Sequence, residues 1–446
     1  MPFEIDAQTI QDLRIFDDNN PSRESIFSYF NKTKTFGGKL ELEKMMQYPL
    51  DDLSALRERQ EIIRFFKEHP FSLALSSAQM DFIDHYFRLN KAPLKANALE
   101  SFLTKYWVRQ SERNDLYLIQ TRVTNLVYLL LELEKWLSEV IPKASTPTLQ
   151  AVLAVFEEYC NLPEIKRMLS TVTRKPQKIP AHLYDGLFRS KYKRETEELM
   201  GLIYHIDAYH AVAETAAIQG LGFPEYVESS LPEVDIEGMF HPLLKNPVPN
   251  DWAVKENKNL CFLTGPNMAG KSTFLKSLGL SLYLAHLGFP VPARSMRTTI
   301  YHGLVTTINL SDHIDKGYSH FYAEVHRIKV VAQMIGSKKR VFVIFDELFR
   351  GTNVKDAYDA SLLVIEAFAQ IQQCTFCIST HITEVAEKLQ HKSTMLFKFF
   401  EVDIVGTTPN YKYQLQDGVS HERLGMLILK NEGILEHLAP SRQTLP

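Results

Sequence analysis

The segment Gly265-Pro266-Asn267-Met268-Ala269-Gly270-Lys271-Ser272 constrains this chain more than any other. It satisfies the pattern G-x-x-x-x-G-K-[ST] and lies between an apolar run at 259–264 and a helical pattern at 273–286. A tight glycine-rich turn between a strand and a helix aims backbone N–H groups at anionic oxygens. Lys271 adds a cation for the β- and γ-phosphates of a nucleotide, and the Ser272 hydroxyl suits Mg²⁺. The segment predicts an α/β domain that takes a nucleotide, with positions 265 to 273, Thr273 included, as the binding set.

The surrounding chain agrees with that domain type. Short apolar runs at 340–346 (RVFVIFD) and 375–380 (TFCIST) alternate with helical stretches and end in polar residues, where α/β sheets place their ligands. Before about residue 235 the texture is different. Apolar residues recur at three- and four-residue spacing over 102–108, 118–140 and 149–159. In the longest run, Leu126, Leu129, Leu130, Leu133 and Trp136 fall on one side, with Glu132, Glu134 and Lys135 elsewhere. This pattern fits an elongated scaffold and an ordinary helical bundle equally well. His241-Pro242, Asn246-Pro247 and Pro249-Asn250 mark a junction between the textures. At roughly 150 residues per domain, 446 residues allow two or three domains. The expected architecture is multidomain α + α/β, with a helical domain over 1–234 and a phosphate-loop domain over 235–446.

Two carboxylates at the end of 340–346 divide naturally into two tasks. Asp346 is placed to hold hydrated Mg²⁺, and Glu347 to orient the attacking water. His381, after the next apolar run, is placed to sense the γ-phosphate end. In Lys316-Gly317-Tyr318-Ser319-His320, Gly then Ser before a helix is a capping signature. It is equally a helix end that a second subunit can offer to phosphate. From 174 to 194 the chain carries Arg174, Lys175, Lys178, Arg189, Lys191, Lys193 and Arg194, with Asp185 the only acid. That run reads as a solvated helix face or as a contact for nucleic-acid phosphates. Cys374 and Cys377 lack a second ligand pair at zinc spacing, so packed strand cysteines are expected.

Composition narrows the class. Fifty Lys and Arg against 53 Asp and Glu leave a net charge of −3, which advertises neither a nucleic-acid nor a membrane partner. Four cysteines are too few for a disulfide scaffold and fit a reducing compartment. The most apolar stretch, 126–131, is too short to span a bilayer, and the acidic start lacks a signal-peptide pattern. A cytoplasmic protein is expected.

Taken together, these segments resemble the MutS family of DNA mismatch-repair ATPases, within the ABC ATPase class. TGPNMAGKST at 264–273 is similar to the family's TGPNMGGKST, with Ala269 in place of a glycine. DELFRGTNVKDA at 346–357 resembles DEIGRGTSTYDG, with Phe349 at a glycine position. Thr380-His381 matches the switch histidine, GFPVPA at 288–293 the G-x-x-VPA turn, and Tyr413 falls near a ring that packs on adenine. Residues 6–13, 33–59 with Gly37-Gly38, and 207–214 resemble the family's helical core and lever.

The resemblance implies an ATP- and Mg²⁺-dependent ATPase acting as a homodimer on duplex or branched DNA. Ser319 would then contact the nucleotide of the opposite subunit. It also implies repair or nucleic-acid-processing protein partners and no membrane. The lever similarity begins near residue 6, the Phe-x-Glu wedge is not matched at Phe3-Glu4 or Phe400-Glu401, and the stretch 70–200 is short for a full clamp. Mismatch reading by this chain is therefore not expected. The alternative is an ATP-gated scaffold for RNA, ribosomes or proteins.

Overall fold

Continuous apolar runs become the middle of a twisted sheet in the computed structural model, which describes residues 3–17, 24–70, 77–87, 89, 92–94, 110–144, 146–174, 179–255, 257–308, 320–337, 340–349, 351–405, 408–420 and 431. Strands are numbered along the chain. The seven-stranded sheet has the order β1 (Glu4–Ile5), β7 (Gly303–Thr307), β8 (Val341–Asp346), β9 (Thr375–Ser379), β5 (Leu260–Thr264), β10 (Met395–Val405), β11 (Thr408–Asp417). All neighbours are parallel except β10 and β11. Every residue of β5, β7, β8 and β9 is buried, the condition under which a parallel strand needs no polar alternation. Phe368 stacks between Phe345 and Phe376 beneath this centre. A second sheet runs β2 (Pro224–Tyr226), β6 (Ser295–Thr298), β3 (Val234–Met239), β4 (Asn250–Val254).

The chain divides into two compact units, and the division is not a single cut. One unit holds the residues up to Ser28, Pro49–Leu56 and all from Gly220 onward; the other holds Tyr29–Tyr48 and Arg57–Gln219. A cut at 234/235 would leave the first residues and β2 with the helices, whereas β1 pairs with β7 and β2 with β6. The helix Ala7–Asp12 follows β1, capped by Asp6, whose carboxylate accepts from Thr9 N at 2.9 Å. Buried Asp12 accepts from Thr306 Oγ1 and Ile308 N, both at 2.8 Å, and Thr306 N donates to Thr9 Oγ1 at 2.9 Å. A two-residue strand has no periodicity, so its membership is invisible until its partner folds.

In the helical unit, the helix Gln110–Val140 buries Leu126, Leu129, Leu130, Leu133 and Trp136 and exposes Glu132, Glu134 and Lys135, as the spacing predicts. The helix Pro147–Asn161 covers the run at 149–159, while 102–108 lies outside the described residues. The helix Phe36–Gln47 packs closely on Lys193–Gln219. A Cβ at Gly37 would enter the Tyr204 ring, and one at Gly38 would collide with the Asp207 carboxylate. Asp207 accepts from Lys34 N, Thr35 N and Thr35 Oγ1 at 3.0, 2.8 and 2.7 Å, which closes the helix start from outside. No helix among the described residues is long and apolar enough to cross a membrane.

Candidate functional site

Gly265, Met268 and Gly270 adopt φ of 137°, 66° and 106°, so the loop after β5 turns through backbone space that only glycine occupies freely. The helix Lys271–His286 starts at once from Gly270 and is buried along most of its length. Lys271 is buried and its Nζ donates to the carbonyls of Gly265 (2.8 Å) and Pro266 (3.0 Å), which keeps the cation inside the turn. Ala269 is buried, so its methyl replaces the family glycine without reaching solvent, and Met268 is 75% exposed. A cleft of about 480 Å³ opens beside the loop, lined by Lys271, Ser272, Thr273, Glu347 and Tyr413 among others.

Parallel pairing puts the acidic end of β8 beside the polar end of β9, with Asp346 opposite Ser379. Asp346 is buried, and its Oδ1 accepts the Ser379 hydroxyl. Glu347 N donates to the Ser379 carbonyl at 3.1 Å and lies 3.3 Å from its hydroxyl. Glu347 has φ of 61°, a left-handed conformation that costs a non-glycine residue about 1–3 kcal/mol and persists only where neighbours fix it. The turn aims its carboxylate at His381, whose Nε2 donates to Glu347 Oε1. Phe349 also has a positive φ, 60°, which explains why a glycine suits that place. Its ring is buried 5.7 Å from Phe321, and that burial offsets the strain.

Two further groups line the cleft without any sequence signal of their own. Asn250 donates to Tyr413 O at 3.0 Å and accepts from Leu415 N at 2.7 Å, pinning the backbone where Tyr413 has φ of 56°. The Tyr413 ring thereby lies over Gly270, 3.2 Å from where a Cβ would stand. His241, read from sequence only as part of a proline-rich junction, is pushed down to about 4 by burial, with Lys276 and Arg14 nearby. It lines the cleft as a neutral imidazole, and its Nδ1 accepts from Leu243 N at 3.3 Å. Partners 163 residues apart, as Asn250 and Tyr413 are, leave no local pattern to read.

The other candidates fall elsewhere. Ser319 lies outside the described residues, as do Lys175 and Lys178; Arg174 ends the helix Pro163–Arg174. Lys191, Lys193 and Arg194 are exposed. Arg189 departs from both readings of this segment, solvated helix face or phosphate contact, because it is turned inward. Its Nε and Nη2 each donate at 2.7 Å to the two oxygens of fully buried Asp185, and its side chain is only 6% exposed. All four cysteines are free and buried, Cys377 directly opposite Cys261 in adjacent strands. Among the described residues no cluster of three metal-ligating side chains from His, Cys, Asp and Glu occurs. Ser272 lines the cleft and Asp346 ends β8, and both offer oxygen, the donor type a hard cation takes.

Comparison with known proteins matches both units. The family model for MutS domain III matches residues 8–222, and that for MutS domain V matches residues 261–443. The DNA mismatch repair protein MutS of Petrotoga mobilis is 26% identical over 358 residues, 78% of this chain and 43% of that protein. Those of Thermotoga maritima and Lactococcus lactis are each 27% identical, over 61% and 62% of this chain and 35% and 34% of theirs. The chain thus spans less than half the length of these relatives. Matches to two MutS domains that together take in residues 8–222 and 261–443 leave one assignment: the chain belongs to the MutS family.

Proposed function

We propose that this chain is an ATP-hydrolysing, Mg²⁺-dependent ATPase whose nucleotide cycle moves helical arms on duplex or branched DNA, in mismatch repair or related DNA-structure processing. The observation that carries the reading is the carboxylate turn. Asp346 ends one strand and Glu347 follows it, the second in a strained conformation fixed by Ser379 and hydrogen-bonded by His381, beside a complete phosphate loop. A protein that only bound nucleotide would need the loop and no such turn.

Roles follow from position. The loop amides from Gly265 to Gly270 and the Lys271 ammonium hold phosphates, and the helix N-terminus adds its partial charge. Ser272 and Asp346 would hold Mg²⁺, which when bound neutralises phosphate charge. Glu347 accepts a proton from, and orients, the attacking water. His381, donating to Glu347 in this arrangement, can exchange that acceptor for a γ-phosphate oxygen, releasing the carboxylate for water. Tyr413 offers a ring face to the base. Ser319 would complete the site of the second subunit of a homodimer, so that closing and opening of the arms follows ATP binding and turnover.

Glu347→Gln should lower kcat by about 100-fold or more while ATP stays bound. Turnover near the wild-type rate overturns the role of Glu347. Mixing Ser319→Ala and Lys271→Ala chains should restore part of the activity each lacks alone; no rescue argues for independent sites. Stimulation by duplex or branched DNA over structured RNA supports the DNA reading, and the reverse order supports an RNA or ribosome scaffold.

A further inference from the structure

Ser379 touches both carboxylate residues at once. It is fully buried at the end of β9, opposite Asp346 in the parallel ladder. The ladder needs only its backbone, so alanine would satisfy the strand equally well. The hydroxyl does something the strand does not require. Its proton goes to Asp346 Oδ1, and its oxygen lies 3.3 Å from Glu347 N, which also donates to the Ser379 carbonyl at 3.1 Å. One oxygen thus donates to the first acid's side chain and accepts from the second acid's backbone.

Both interactions act on degrees of freedom that matter. A hydroxyl donor on one carboxylate oxygen helps fix the plane of the buried Asp346 side chain. The shared N–H of Glu347 sits in the peptide that carries the left-handed φ of 61°, the turn that aims Glu347 toward His381. Two residues further along the same chain, His381 closes the loop by donating to Glu347. Residues 379 and 381 therefore grip 346 and 347 from one side.

We propose that Ser379 is a positioning residue that locks Asp346 and Glu347 into one arrangement, so that metal-dependent nucleotide affinity and turnover depend on the same hydroxyl. The proposal rests on the ATPase reading above. Partners of metal ligands typically contribute 10- to 100-fold to metal affinity or activity. Ser379→Ala should raise the half-saturating Mg²⁺ concentration for binding of a fluorescent ATP analogue by about tenfold and lower kcat by about tenfold. Affinity for the same analogue in EDTA should stay within about twofold, because the phosphate loop is untouched. Ser379→Cys, nearly isosteric and still a weak donor, should recover part of both losses.

The decisive arm is a double-mutant cycle with Asp346→Asn. If the hydroxyl acts through Asp346, adding Ser379→Ala to that variant should change the Mg²⁺ response little further. Unchanged Mg²⁺ dependence and kcat in Ser379→Ala overturn the role of Ser379. So does an equal loss of affinity with and without Mg²⁺, which marks general loosening, and so does full additivity with Asp346→Asn. Wild-type protein with no Mg²⁺-dependent nucleotide binding overturns the ATPase reading itself, an outcome separate from the other three.

Discussion

Two of the buried acids, Asp185 in the helical unit and Asp346 in the sheet unit, are treated in opposite ways. In the helical unit, Asp185 accepts from Tyr86 OH at 2.5 Å, Leu94 N at 2.6 Å and both arms of Arg189. In the sheet unit, Asp346 takes the Ser379 hydroxyl and has Glu347 as its chain neighbour. A carboxylate filled by a guanidinium, a phenol and an amide is a structural post, and burial in its company pushes the Tyr86 hydroxyl well above its ordinary range. Asp346, whose side-chain hydrogen bond among the described residues comes from a neutral hydroxyl, with the Lys276 ammonium acting only through its field, keeps lone pairs for chemistry. Burial alone does not separate structural from functional acids; the inventory of donors does.

The comparison breaks most visibly if Asp185 is removed. Asp185→Ala would leave a buried guanidinium without its counter-ion, a loss of about 3–5 kcal/mol. Urea unfolding should shift strongly, while nucleotide affinity measured below the new midpoint stays near wild type. Asp346→Asn should do the reverse. Its kcat should fall by about 100-fold, about 2.7 kcal/mol of barrier, with the unfolding midpoint almost unmoved. If Asp185→Ala lowered nucleotide affinity in folded protein, or Asp346→Asn mainly unfolded it, the donor inventory would be the wrong criterion.

A second test uses pH. His286 is fully buried, its ring stacked 4.3 Å from Phe3. Nδ1 donates to Leu50 O at 3.0 Å and Nε2 accepts from Tyr301 N at 3.3 Å. That pattern admits only a neutral imidazole, because a second proton would face the Tyr301 N–H. Burial is the main cause of its depression to about 4, opposed by the Leu50 carbonyl and aided by nearby His302. The unfolded histidine, near 6.5, takes up a proton first, so stability is full above that value and is lost as pH falls toward 4. At roughly 1.4 kcal/mol per unit, about 2 kcal/mol should be lost between pH 6.5 and 5. Urea unfolding across that range measures it as the difference between wild type and His286→Asn, since His241, also near 4, keeps its own pH dependence in both. An imidazole titrating near 6.5 in the folded protein would remove the effect.

What the sequence makes legible follows from how local each cause is. The strands at 260–264, 341–346 and 375–379 are written as unbroken apolar runs, and the phosphate loop as a fixed spacing of glycines. The buried side of Gln110–Val140 is a local period of the same kind. The positions of Asp346, Glu347 and His381 are legible because each lies at or just past the end of such a strand, and parallel order brings the strand ends together. The placement of β1, the Asn250 grip on Tyr413 and the neutral state of His241 are not legible, because their causes lie far along the chain. Arg189 is the instructive middle case. Its spacing of four from Asp185 is visible in the sequence, but the burial that turns a helix-face pair into an internal post is not.

That middle case sharpens the smallest expected effect. Reversing every charge from 189 to 194 would confuse two properties, since Arg189 holds the interior and Lys191, Lys193 and Arg194 face solvent. Lys191 pairs with Glu164 and Lys193 with Glu197, but exposed pairs exchange partners at little cost. A variant with only these three changed to Glu should keep the wild-type unfolding midpoint. If the face meets duplex DNA, its affinity should drop, and the slope of log affinity against log salt should fall by about 0.9 for each phosphate no longer neutralised. Arg189→Glu alone should instead unfold the helical unit and abolish binding through loss of structure. Unchanged affinity and slope in the triple variant would assign the three charges to a solvated helix face, leaving Arg189 as the residue of this segment with a defined task.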